Sequence, residues 1–137
     1  MRQLKYRIWD KQQNKFHTDR DWGLSLDGTH IIGFSSHDSW DHDKGYKIKI
    51  TENLVVQDFI GLLDKHGKEI YKGDIVLYRK QNREVRIGEF CDGADDRVGV
   101  FLQCPKIKHR NFGTNKLSAF NSCEVIGNIF ENPDLLK

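Results

Sequence analysis

Long hydrophobic runs are missing from this 137-residue chain, and nothing in it approaches the stretch of about 18 apolar residues that a membrane-spanning helix needs. The opening MRQLKYRIWD has no apolar core of a secretory signal, so the expectation is a cytoplasmic protein with no membrane partner. Cysteine is scarce: Cys91, Cys104 and Cys123 are an odd number at wide spacing, without the Cys-x-x-Cys pairs of zinc or redox sites. They read as reduced, mostly buried thiols. Excess charge is absent too, since 22 basic against 20 acidic side chains leave +2, with no long-range field to draw in nucleic acid or anionic lipid. Any such attraction has to come from a local patch. There is no Gly-x-Ser-x-Gly elbow, no cysteine beside a histidine, and no glycine loop running into Lys-Ser or Lys-Thr. The chain therefore reads as non-enzymatic, with no cofactor.

What is present is strand patterning. The length suits one domain able to bury roughly two thirds of its unfolded surface, and 31% charged with 37% hydrophobic residues describes a folded, water-soluble protein. In Tyr46-Lys47-Ile48-Lys49-Ile50 apolar residues alternate with lysines, which puts one face of a strand in a core and the other in water. Lys5-Tyr6-Arg7-Ile8-Trp9 repeats the pattern, and the polar Asp10 to Lys15 before Phe16 predicts an opening hairpin. Val85-Arg86-Ile87 and Val98 to Leu102, separated by Asp92-Gly93-Ala94-Asp95-Asp96, are expected to pair as neighbours. LVVQDFIGLL at 54–63 is ambiguous because Val55, Phe59 and Leu62 also stack at helical spacing; its β-branched residues and Gly61 favour a strand. No other long helical pattern occurs. Asp64-Lys65-His66-Gly67 predicts a tight reversal, and Lys72-Gly73-Asp74 a turn into the core strand Ile75 to Tyr78.

Short strands at about ten-residue spacing with glycine turns predict a mainly β fold, a small barrel or sandwich. Residues 1–45 read as an N-terminal hairpin and polar loop, and 46–137 as the small β-barrel, the whole forming one compact unit.

The opening Arg7-x-Trp9-Asp10, the turn His66-Gly67-Lys68-Glu69-Ile70-Tyr71 followed by Gly73-Asp74-Ile75-Val76, and the closing Ile126-Gly127-Asn128 with Glu131-Asn132-Pro133 resemble the YopX family of phage- and prophage-encoded proteins. The resemblance implies a β protein whose C-terminal part is a small barrel similar to the Src-homology type, and it implies no reaction. Its matched positions read as structural: Gly67, Gly73 and Gly127 for turns or close backbone approach, Asp74 for capping a turn amide, Pro133 for ending a strand, with Asn128 beside them.

Three segments bear on function. His37-Asp38-Ser39-Trp40-Asp41-His42-Asp43 groups imidazoles and carboxylates able to ligate a divalent metal, but its spacing fits no familiar motif, and a hydrated loop explains the same residues. From Arg97 to Cys123 there is no acidic residue, while Arg97, Lys106, Lys108, Arg110 and Lys116 are interleaved with Phe101, Phe112 and Phe120. That combination suits phosphate neutralisation plus base stacking, and equally a solvated loop with core phenylalanines. An open barrel also leaves edge strands that a partner can complete, and Trp9, Trp22 and Trp40 could supply exposed indole. The favoured role is binding to another protein or to a further copy of itself; nucleic-acid binding through the basic segment is the rival.

Overall fold

The computed structural model describes residues 6–17, 22–24, 30–34, 45–49 and 54–137, with side chains placed for 6–16 and 54–137. The chain divides into two compact units, Ile8–Val56 and the remainder formed by Met1–Arg7 with Gln57–Lys137. No helix among the described residues is long and apolar enough to cross a membrane.

Strand β1 (Tyr6–Asp10), which belongs to the unit Ile8–Val56 from Ile8 onward, turns back onto β2 (Lys15–His17) with Trp9 opposite Phe16. The reversal follows from local chemistry. Asp10 Oδ1 accepts the N–H groups of Gln12 (2.9 Å) and Gln13 (3.1 Å), and Asn14 takes the left-handed φ of 53° that asparagine tolerates. Trp9 meets Phe16 edge-on at 4.8 Å and is buried, so its indole is not exposed. Strands β3 (Trp22–Leu24), β4 (His30–Phe34) and β5 (Gly45–Lys49) form an antiparallel meander; β5 is the strand predicted from the alternating lysines, and it pairs Ile48 with Ile31.

The larger unit takes in β6 (Leu54–Leu63) from Gln57 onward, then β7 (Glu69–Tyr71), β8 (Asp74–Tyr78), β9 (Gln81–Cys91), β10 (Asp96–Gln103), β11 (Gly113–Thr114), helix α1 (Leu117–Ser122), β12 (Glu124–Asn128) and a 3-10 turn at Pro133–Leu136. Five strands lie in the order β11-β10-β9-β8-β12, a curled, half-barrel sheet, and β6 pairs separately with β7. LVVQDFIGLL is a strand whose register slips between Phe59 and Leu63, where Gly61 sits at φ 86°. Such a bulge breaks the two-residue period, which is why the sequence also fits helical spacing there. The β9–β10 pairing places Val85 opposite Leu102 and Ile87 opposite Val100 as expected. Opposed Gly88 and Gly99, at φ 150° and 148°, give the long hairpin the backbone freedom to coil.

Ile70, Val76, Val85, Leu102, Ala119, Phe120 and Cys123 form the core, with Ile60, Leu62, Tyr78, Val100 and Val125 packed against it. Helix α1 plugs this interior through Ala119 and Phe120. It was not anticipated, because six residues are too few to show a helical period. The asparagine-proline close also differs from expectation: β12 ends at Asn128, and Pro133 opens the 3-10 turn, where its fixed φ and missing N–H cost nothing.

A buried polar lock and an open strand edge

The three sequence motifs, far apart in the chain, meet in one buried network. Asp74 is 1% exposed and accepts from Arg7 Nη2, from Tyr71 N–H at 2.8 Å and from Asn128 Nδ2 at 3.4 Å. Gln57, 2% exposed, accepts through Oε1 from Arg7 Nε (2.9 Å) and from Asn128 Nδ2 (3.1 Å). The Arg7 guanidinium also lies over the Tyr71 ring at 4.6 Å. Each motif thus contributes hydrogen-bonding groups that satisfy those of the others, as burial requires. Asp74 does cap a turn amide, and it is also the anion of this lock. Gln57 was missed, although an amide beside Asp58 in a mainly apolar strand was the available signal.

The glycines fit around the lock. A Cβ on Gly73, at φ 88°, would lie 2.1 Å from Gln57 Nε2; one on Gly127 would lie 2.7 Å from Asn132 Oδ1. Gly67 instead supplies φ 82° in the 64–68 turn. There the Asp64 carboxylate accepts N–H groups of His66 (2.8 Å), Lys68 (2.9 Å) and Val125 (2.9 Å), tying the turn to β12. Burial alone would raise the Asp64 pKa, but those three N–H groups and the nearby His66 outweigh it and hold the carboxyl below its usual range. Asn128 closes the motif by accepting Phe130 N–H at 3.0 Å, and Pro133 follows at the 3-10 turn.

The basic residues Arg97, Lys106, Lys108, Arg110 and Lys116 are all exposed. Their aromatic companions are mostly not: Phe101 is fully buried and Phe120 2% exposed, leaving only Phe112 half-buried, beneath the Arg110 guanidinium at 5.3 Å. Arg97 is bound to Asp92 at 2.6 Å. The N–H groups of Asp95 and Ala94, then Arg97, lower the Asp92 pKa to about 2. The loop carrying Lys106, Lys108 and Arg110 is staked from inside by Gln103, 5% exposed, which donates to Ile107 O (2.6 Å) and Arg110 O (3.0 Å) and accepts from Phe112 N–H (3.1 Å). Sequence reasoning found the cations but not the glutamine that holds them out.

Of the cysteines, Cys123 is buried while Cys91 and Cys104 are half-buried, and all three are free, so the expectation of mostly buried thiols holds for one. Burial, then the Asp64 charge, pushes the Cys123 thiol up to about 11. No group of three or more His, Cys, Asp or Glu able to hold a metal occurs among the described residues, and His37 to Asp43, with Trp40, lies outside them. The Trp22 side chain also lies outside the described set.

Along much of β10 the sheet edge is open among the described residues. Val85 O, Glu89 O and Cys91 N–H bond to Gly73 N, Asn111 Nδ2 and Asn111 O on the side of β9 facing away from β10. Backbone groups alternate in direction along a strand, so β9 turns its even-numbered residues toward β10, and β10 answers with Arg97, Gly99 and Phe101. Asp96, Val98 and Val100 consequently aim N–H and C=O outward. Cys104, two residues beyond Leu102 in the same alternation, donates outward to Phe112 O at 2.7 Å. Among the described residues that outer edge is paired only at Leu102 and Gln103, by β11. Side chains on one face run from the core pair Val85 and Leu102 through Ile87 and Val100 to Val98, which is 78% exposed and lies opposite the exposed Glu89. The core stripe continues past the body onto a bare edge.

A curled β-sheet plugged by a short helix, with its buried polar groups spent on holding chain segments together, defines a small barrel-like β protein. The family model described as YopX protein matches residues 5–137, nearly the whole sequence, and the chain belongs to the YopX family, whose function is unassigned. The chain is also similar to the crystal structure of protein EF1440 from Enterococcus faecalis, with 23% identity over 98% of each chain and a TM-score of 0.56, a likeness of fold. No curated protein matches the chain.

Proposed function

We propose that this is a non-enzymatic, phage- or prophage-encoded protein that acts in the host cytoplasm by binding another protein chain or a further copy of itself. The observation that supports this is the β10 edge, where three residues with outward backbone groups adjoin the exposed apolar side chains of Val98 and Ile87. Soluble proteins usually blunt such an edge with charge, proline or a covering segment; here charge is confined to Asp96 and Arg97 at one end, and the 98–100 stretch left without it suits strand addition. The matched motifs support a binding role indirectly, since their polar groups are engaged with one another in the lock. The test is co-purification from lysogenic or infected cells with wild type and Val98→Pro, which deletes one outward donor. Wild type should retain a protein partner, itself included, that the variant loses; equal retention by both would refute the role of the edge.

The rival reading, a nucleic-acid-binding small barrel, is favoured by one observation: Lys106, Lys108 and Arg110 project from a loop that Gln103 pre-organises. Its stacking half is weakened by the burial of Phe101 and Phe120. If it is right, single-stranded DNA or RNA is retained at low salt and released steeply between about 50 and 200 mM. Absence of retention at low salt eliminates it.

A further inference from the structure

The edge is self-complementary, and we infer that its occupant is a second copy of this chain, joined β10 to β10 in antiparallel register about a two-fold axis at Val98. The inference rests on the edge reading above and names the partner.

The register follows from which groups are free. A two-fold axis between identical antiparallel strands passes through a residue paired with itself, so the candidates along the open stretch are centred on Arg97, Val98 or Gly99. Centring on Arg97 sets two guanidinium groups directly opposite each other, a destabilising arrangement. Centring on Gly99 runs Asp96 against Leu102, whose edge β11 already occupies. Centring on Val98 avoids both. It sets Asp96 against Val100 of the other copy, Val98 against Val98, and Arg97 against Gly99, so no like charges face each other, and Arg97 is neutralised by Asp92 in its own chain.

The same register uses every outward group. Asp96, Val98 and Val100 are the residues whose N–H and C=O point away from β9, and each would sit in a pair that exchanges two hydrogen bonds, about six in all. Side chains agree with the backbone. Val98 and Val100 lie on one face with Ile87, so the two-fold places each apolar stripe beside its copy and covers the 78% exposed Val98 at the centre. The ten-strand sheet that results joins both curled sheets through this edge.

A cysteine at the axis reads the register. Paired residues of a hydrogen-bonded antiparallel site have Cα atoms about 5.5 Å apart, within disulfide range. In a Cys91→Ser/Cys104→Ser background, where the remaining Cys123 is buried, Val98→Cys should oxidise to a covalent dimer, and the same background without it should not. Sedimentation of the wild type should give a mass that rises from monomer to dimer with concentration. Val98→Pro should stay monomeric with unchanged circular dichroism, because the N–H it removes is not used by β9. Val98→Lys, which puts two ammonium groups face to face while keeping the donor, should be monomeric as well. A wild type that is monomeric at all concentrations, with Val98→Cys unlinked, overturns the inference. Should that protein still lose a cellular partner on Val98→Pro, the second copy is refuted while the strand-addition role stands; if it loses none, both fall.

Discussion

Replacing Asp74 by alanine tests the polar lock where it is most concentrated. The substitution removes the acceptor of Tyr71 N–H and one acceptor of Asn128 Nδ2, and a buried donor left without a partner costs about 1–3 kcal/mol. It also removes the Asp74 carboxylate from beside Arg7, and breaking a buried ion pair costs about 3–5 kcal/mol. The Arg7 side chain is 22% exposed, so water reaches it and the lower part of that range applies. These contributions overlap, and the expected loss is about 3–5 kcal/mol, a large share of the stability of a domain this size. Urea unfolding followed by far-ultraviolet circular dichroism should show the midpoint falling by about 2 M with little change in slope. A second variant separates charge from shape: Arg7→Met with Asp74→Leu exchanges the pair for apolar groups of similar bulk and should recover at least half of the loss. A loss for Asp74→Ala below about 1 kcal/mol would refute the lock as a stabilising element.

Stability should fall as pH drops below about 4, since Asp64 has a folded pKa held below its unfolded value; its contribution is present above the usual carboxylate range and is lost as pH falls through the lower folded value. Asp64→Asn should flatten that slope in urea midpoints taken from about pH 5 to pH 3, and an unchanged slope would count against the turn anchor. Arg79 and Lys80 close the β8–β9 hairpin at φ 49° and 64°, conformations that asparagine and glycine adopt readily, so Arg79→Asn with Lys80→Gly should raise the melting temperature, by about 1 kcal/mol of stability. Iodoacetamide at pH 8 should label Cys91 and Cys104 in the native protein and reach Cys123 only after denaturation, as read by peptide mass mapping.

The strands were legible because alternation of apolar and charged residues is a local property: β1, β5, β9 and β10 each carry it within a few residues. So were the turns, where Asp10, Asp64 and Gly67 act on neighbours two to four positions away. Helix α1 escaped because its identity as a helix comes from plugging the barrel, a tertiary demand on six residues. The lock escaped because spacing along the chain says nothing about which distant motifs meet; Arg7, Gln57, Asp74 and Asn128 were visible singly, and only folding makes them one object. The basic segment misled in part, since Phe101 and Phe120 read as available aromatics until the sheet placed them inside. Val98 was read as a strand residue, but its exposure depends on how far the β9–β10 hairpin outruns the core.

Arg7 and Asn128 are separated by more than a hundred residues yet bond to the same two side chains. During synthesis, then, a chain released only as far as β11 holds the arginine and the aspartate but lacks the amide donor. The domain can acquire its final rigidity only once the closing residues emerge, and a nascent chain stalled before them should be digested by protease far faster than the finished protein.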